Sequence, residues 1–86
     1  MNPTIMDVKA LGAAIRARRR ARRWTQAELA QTANVSRRFV GELEAGDRTG
    51  AELGRVFAVL RALDTALTLE DRQTSDFDAA LAEVLG

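Results

Sequence analysis

Residues 25–48 read TQAELAQTANVSRRFVGELEAGDR, and two short helices meeting at one tight corner account for the order of these residues. Thr25-Gln26-Ala27-Glu28 has the form of a capping box. The Thr25 hydroxyl accepts the amide of the third helical residue, and Glu28 reaches back to the Thr25 amide. Leu29, Ala30 and Ala33 then fall on one side of a helix and are expected to be buried. Asn34 tolerates the left-handed conformation that ends a helix. Val35 is an apolar turn residue, and Ser36 is a cap for a second helix running to about Ala45, which buries Val40 and Leu43. Gly46 is its stop. Small residues at Ala30 and Ala33 let the two helices cross closely. Cap, small residues, left-handed residue, apolar turn residue and second cap thus occur in the order of a helix-turn-helix.

Upstream lies RARRRARRW, Arg16 to Trp24. Alanine and arginine are strong helix formers, and a helix is expected over Lys9 to Arg23. Leu11, Ala14, Ile15 and Ala21 form its thin apolar side, with Arg18 inside that stripe by angle. Trp24 is placed to staple against Leu29 or a neighbour. The residues before this helix, including Pro3, read as a loose tail.

Downstream, Thr49-Gly50-Ala51-Glu52 repeats the capping-box pattern. Leu53, Val56, Phe57, Leu60 and Leu63 follow at intervals of three and four, the strongest amphipathic helix in the chain. Beyond Asp64 the pattern alternates, and a short strand is expected over Thr65 to Leu69 with Leu67 and Leu69 on its apolar face. A lone strand leaves its amides without partners, and an unpaired edge invites pairing with another chain. Ser75 to Asp78 is a possible cap for a final short helix carrying Phe77, Leu81, Val84 and Leu85; a disordered acidic tail is the alternative. The division is therefore a tail over 1–10, a helix-turn-helix domain over 11–63, a dimerisation strand over 64–72 and an acidic tail over 73–86.

The 86 residues contain neither cysteine nor histidine. Disulfides, thiolate metal sites and the usual general base are thereby excluded, no metal or cofactor is expected, and neither is an enzyme. No apolar run reaches the roughly 18 residues of a membrane helix, and no secretory signal is read at the start; a cytoplasmic protein is expected. The net charge of +1 conceals an asymmetry. Residues 1–50 hold ten Lys/Arg against five Asp/Glu, and residues 51–86 hold three against seven. A polyanion is the expected partner of the front half, and a basic or hydrophobic surface that of the back half.

With these motifs in place, TQAELAQTANVSRRFVGELEAGDR, extended upstream by LGAAIRARRRARRWTQ, resembles the Xre/Cro-type helix-turn-helix of bacterial and phage repressors. LGRVFAVLRALDTALTLED is similar to the segment that follows this motif in HipB-type antitoxins. The resemblance spans about Leu11 to Asp71. It implies an all-α, λ-repressor-like domain with a short C-terminal β-strand, forming a homodimer in which the late strand pairs with its copy through Leu67 and Leu69. It further implies a repressor that binds a palindromic operator in double-stranded DNA, autoregulates its operon and neutralises a HipA-type serine/threonine kinase. A stand-alone or phage regulator without a toxin is the alternative. A protein-interaction module and an arginine-rich RNA binder fit the ordered motif less well.

By position, the resemblance makes Gln26 a phosphate contact or a buttress of the reading helix. Ser36, Arg37, Arg38 and Gly41 face the major groove. Arg37 and Arg38 are the base readers, because a guanidinium fork matches guanine O6 and N7. Phe39 touches a thymine methyl or is partly buried, and Arg48 contacts the backbone. Arg19 matches a family arginine that pairs with the glutamate at Glu44. Arg18 and Arg22 are expected to lay their stems over apolar surface, leaving Arg16, Arg20 and Arg23 for solvent or phosphate. Glu42 accepts from a cytosine or is simply exposed. Three positions depart from the family pattern: Arg23 where glycine is frequent, Arg18 where an aliphatic residue is usual, and Gly41 inside the reading helix.

Overall fold

The computed structural model describes residues 4–72 and 81–85. Within residues 8–62 four helices follow one another: α1 (Val8–Ala21), α2 (Gln26–Ala33), α3 (Arg37–Ala45) and α4 (Leu53–Ala62). Local chemistry sets most of their ends. Asp7 opens α1, its carboxylate accepting the Ala10 amide at 2.7 Å. Arg18, Arg19 and Arg20 occupy the last turn of α1, where positive charge meets the negative end of the helix dipole. At the start of α2 the capping box is complete: the Glu28 amide donates to Thr25 Oγ1 at 3.1 Å, and the Thr25 amide donates to Glu28 Oε1 at 2.9 Å. Asn34 ends α2 at φ +58°, and the Val35 amide turns back to the Ala30 carbonyl at 3.0 Å. Ser36 Oγ then accepts the Phe39 amide at 2.9 Å to start α3, and Gly46 ends it at φ +78°.

The second capping box expected at Thr49 does not form. The Ala51 amide closes a turn on the Arg48 carbonyl, and Glu52 is the residue that precedes α4, with no side-chain cap. Helical geometry begins three residues too late for the Thr49 hydroxyl to reach an orphan amide of the first turn.

One core fills the space between the helices. Ile15 of α1, Leu29 of α2, Phe39, Val40 and Leu43 of α3, and Val59 of α4 are all but sealed from solvent. Helices α1 and α3 meet at backbone distance: a Cβ on Gly12 would stand 2.2 Å from the Leu43 carbonyl oxygen. Any larger residue would push the two helices apart. On α4 the buried arc runs through Val56, Val59, Leu60 and Leu63, which leaves Leu53 and Phe57 at 67% and 39% exposure. The sequence pattern placed both of these inside. Val59, absent from that pattern, draws the centre of the arc away from them. Arg18 is exposed and does not enter the core despite its place in the stripe.

After α4, Asp64 takes φ +51° and the Thr65 amide bonds back to the Leu60 carbonyl at 2.9 Å. Residues 65–72 then run on with neither helix nor strand. The strand expected over 64–72 is therefore not formed in the single chain. A ladder needs a second edge, and none of the described residues provides one. Leu67 and Leu69 are both exposed. Residues 81–85 are helical and exposed; Phe77 and the expected cap at Ser75 lie outside the described residues. Among the described residues no helix is long and apolar enough to cross a membrane.

Candidate nucleic-acid interface

The corner between α2 and α3 delivers the first turn of α3 to solvent. Ser36, Arg37 and Arg38 are all exposed there. The Ser36 hydroxyl is engaged in capping, so this side chain organises the helix start on which the two arginines stand. Arg37 has neither hydrogen bond nor ion pair among the described residues. Arg38 points outward with its side chain 84% exposed, yet its Nε donates to Glu42 Oε1 at 2.8 Å.

Glu42 holds a second arginine. Arg48, in the turn after α3, brings Nε to 2.6 Å of Glu42 Oε2. That approach is an ion pair without an aligned hydrogen bond, because the same Nε has no partner of hydrogen-bond geometry. The Arg48 guanidinium lies 5.3 Å from the centroid of the Phe39 ring and covers it, a cation–π contact. The hydrogen bond from Arg38 is the main cause, and the charges of Arg48 and Arg38 further causes, holding the Glu42 carboxyl below the usual glutamate range. Nothing singled out this grip in the sequence, although the Arg38–Glu42 spacing of four is a helical-neighbour signal.

Of the two roles expected for Phe39, burial is the one it takes. At 1% exposure its ring belongs to the core and offers no surface to a thymine methyl. The solvent-facing side of α3 therefore passes from Arg38 to Glu42 without it. Gly41 lies against α2: a Cβ there would meet the Gln26 amide oxygen at 3.5 Å. Gln26 in turn donates through Nε2 to Glu44 Oε1 at 3.2 Å. In this arrangement Gln26 buttresses α3.

Behind this face sits a buried arginine. Arg19 Nε donates to Glu44 Oε2 at 2.6 Å and Nη2 to Oε1 at 2.9 Å, while Nη1 donates to the Trp24 carbonyl at 2.7 Å. Arg19 and Glu44 are each 8% exposed. The Glu44 hydrogen bond raises the already high pKa of Arg19 against the opposing effect of burial. The fork is thus satisfied on all sides, as a buried charge requires.

The arginine block accordingly divides. Arg19 ties α1 to α3. Arg22 donates Nη2 to the Leu63 carbonyl at 2.9 Å, closing the end of α4, and its guanidinium stands 5.4 Å from the Trp24 ring centroid. Arg16, Arg20 and Arg23 are exposed. Arg23 takes φ +59°, the left-handed conformation that glycine adopts without strain.

The Helix-turn-helix family matches residues 15–69 of the chain. Among curated proteins no sequence match is found. Similar solved structures include a HipB–O4 20mer complex, 25% identical, with a TM-score of 0.77 and coverage of 84% of this chain and 100% of that chain. A HipB–O1–O2 complex is 26% identical, with a TM-score of 0.74 and coverage of 81% and 100%. A HipA–HipB–O2–O3 complex is 25% identical, with a TM-score of 0.76 and coverage of 84% and 100%.

Proposed function

The chain belongs to the Xre/Cro-type helix-turn-helix family, and from that premise we propose that it is a sequence-specific DNA-binding transcriptional repressor that serves as a HipB-like antitoxin and autoregulates its operon. The observation that carries this reading is the exposed Arg37–Arg38 pair on the first turn of a helix that a capped corner holds out from the core. A recognition helix inserts its N-terminal residues into the major groove, and a guanidinium fork there pairs with guanine O6 and N7. Gln26, Ser36 and Gly41 set the pose of that helix, and Arg48 offers its outer edge to the phosphate backbone. Arg16, Arg20 and Arg23 add to the field that attracts the polyanion.

The functional unit in this reading is a homodimer. Leu67 and Leu69 are exposed on a segment whose backbone lacks a ladder. Pairing with the same segment of a second copy satisfies the amides and covers both leucines. Two recognition helices would then enter successive major grooves about 34 Å apart on a palindromic operator. Occlusion of the promoter is the mechanism of repression, in the cytoplasm of a bacterium. The likeness to HipB in a complex with HipA supports a HipA-type kinase as the toxin partner.

A mobility-shift titration against the duplex upstream of the protein's own reading frame tests the central claim. Binding is expected to be retained against competitor DNA and to weaken steeply as salt rises; no preference for that duplex over a shuffled one would refute it. Leu67→Asp is expected to give monomers in sedimentation, and an unchanged dimer would reject the strand pairing.

A further inference from the structure

Resting on the DNA-binding reading, we propose that Glu42 is a specificity-determining positioning residue: one carboxylate set among the DNA-facing arginines that fixes how Arg38 presents its guanidinium and disfavours sequence-blind contact with phosphate. The geometry behind this is a three-residue clamp. One oxygen of Glu42 takes Arg38 Nε at 2.8 Å, and the other lies 2.6 Å from Arg48 Nε. Arg48 is itself seated on the buried Phe39 ring, so the clamp has a fixed wall.

Two consequences follow. An arginine engaged through Nε has its two Nη nitrogens left for an end-on bidentate contact, which is the geometry that reads guanine. A free arginine side chain samples many rotamers and finds phosphate in most of them. The second consequence is electrostatic. Binding without sequence preference comes almost entirely from cations against phosphates. A carboxylate between Arg38 and Arg48 cancels part of their charge and repels the backbone. A base contact is less affected, because it depends on direction as well as charge. Glu42 therefore lowers the affinity for any duplex while widening the gap between the right one and the rest, which is specificity gained against competitors.

The test uses the full chain. The wild type first selects a preferred site from a pool of randomised 20-bp duplexes. Affinities of wild type, Glu42→Gln, Arg38→Ala and the double variant are then measured on the selected duplex and on a shuffled duplex of the same composition, across a salt series. Glu42→Gln is expected to bind the shuffled duplex several-fold tighter and to lose about tenfold in discrimination, the scale of one bidentate base contact. In the Arg38→Ala background the same change should leave discrimination where it was, because Glu42 acts through Arg38.

Other results overturn the proposal. If Glu42→Gln weakens both duplexes equally, the residue is structural. If the variant selects a different base at one position without relaxing, Glu42 reads that base itself. If discrimination is unchanged, the clamp has no role in recognition, although the DNA-binding reading survives. If the wild type selects no site at all, that reading falls and this one with it.

Discussion

Glu42 and Glu44 stand two residues apart on α3, and each holds an arginine Nε within 2.8 Å, yet they belong to different parts of the protein. Two residues of helix are about 200° of rotation, so one carboxylate faces the core and the other the solvent. The Arg19–Glu44 side chains are 10% and 3% exposed, and those of Arg38 and Glu42 are 84% and 30% exposed. Burial, not distance, separates an ion pair that is architecture from one that can take part in recognition. A buried pair is expensive to break because the orphaned charge has nowhere to go. An exposed pair contributes little to stability and leaves the guanidinium's remaining donors open to a ligand.

The strongest way to break this contrast is Glu44→Ala. It strips Arg19 of both carboxylate bonds and Gln26 of its partner, so a loss of about 3–5 kcal/mol in unfolding free energy is expected. Urea denaturation measures it. In a domain of this size such a loss consumes much of the total stability. Replacing Arg19 and Glu44 together with apolar residues of similar volume should recover most of the loss, which would show that the penalty lies in the unpaired charge. A small loss for Glu44→Ala alone would erase the distinction between the two glutamates.

Next in size is Arg37→Ala, on the exposed side. Because Arg37 has no partner among the described residues, the unfolding midpoint should not move. Preference for the selected duplex over a shuffled one should fall by about 1–3 kcal/mol. An equal loss on both duplexes would make Arg37 a phosphate contact. A smaller effect, of opposite sign, is expected at Arg23. It sits at φ +59°, where a side chain crowds its own carbonyl. Arg23→Gly should therefore raise the unfolding free energy by about 1 kcal/mol. Thermal melting checks it, and destabilisation instead would mean that the arginine side chain makes contacts outweighing the strain.

The bihelical corner was legible because each boundary is written in local chemistry. Thr25 with Glu28, Asn34, Ser36 and Gly46 act on backbone groups within a few residues of themselves, so their effect does not depend on the rest of the fold. The exposure of Arg37 and Arg38 followed from the corner, and the Arg19–Glu44 pairing was legible only through family resemblance. What escaped depends on contacts between distant parts. In the sequence Phe39 stands between a thymine contact and partial burial, because only the packing of α3 turns it inward. Thr49 has the residues of a cap, but the turn at Arg48–Ala51 delays the helix. Leu53 and Phe57 satisfy the helical period, yet the core draws its arc from Val56, Val59 and Leu63. The Glu42 clamp needed Arg48 to fold back over Phe39, which no spacing rule announces. The strand expected over 64–72 is a case apart, since residues 65–72 form none in the single chain and only the proposed pairing with a second copy would supply a ladder.

The sharpest form of the contrast asks for almost nothing to happen. Glu42→Gln keeps the shape of the side chain and removes the charge, so the unfolding midpoint at neutral pH is expected to lie only slightly below the wild type, where Glu44→Ala shifts it far. The acid side supplies the sign. Arg38 and Arg48 hold the folded Glu42 carboxyl below its unfolded value. Whatever the clamp contributes to stability is present above the ordinary glutamate range and is lost as pH falls through the lower, folded value. The small advantage of wild type over Glu42→Gln at neutral pH should therefore vanish on acidification, in paired urea titrations at neutral and acid pH. A Glu42→Gln variant more stable than the wild type at neutral pH, with the gap closing toward acid, would mean that the carboxylate is strained rather than held.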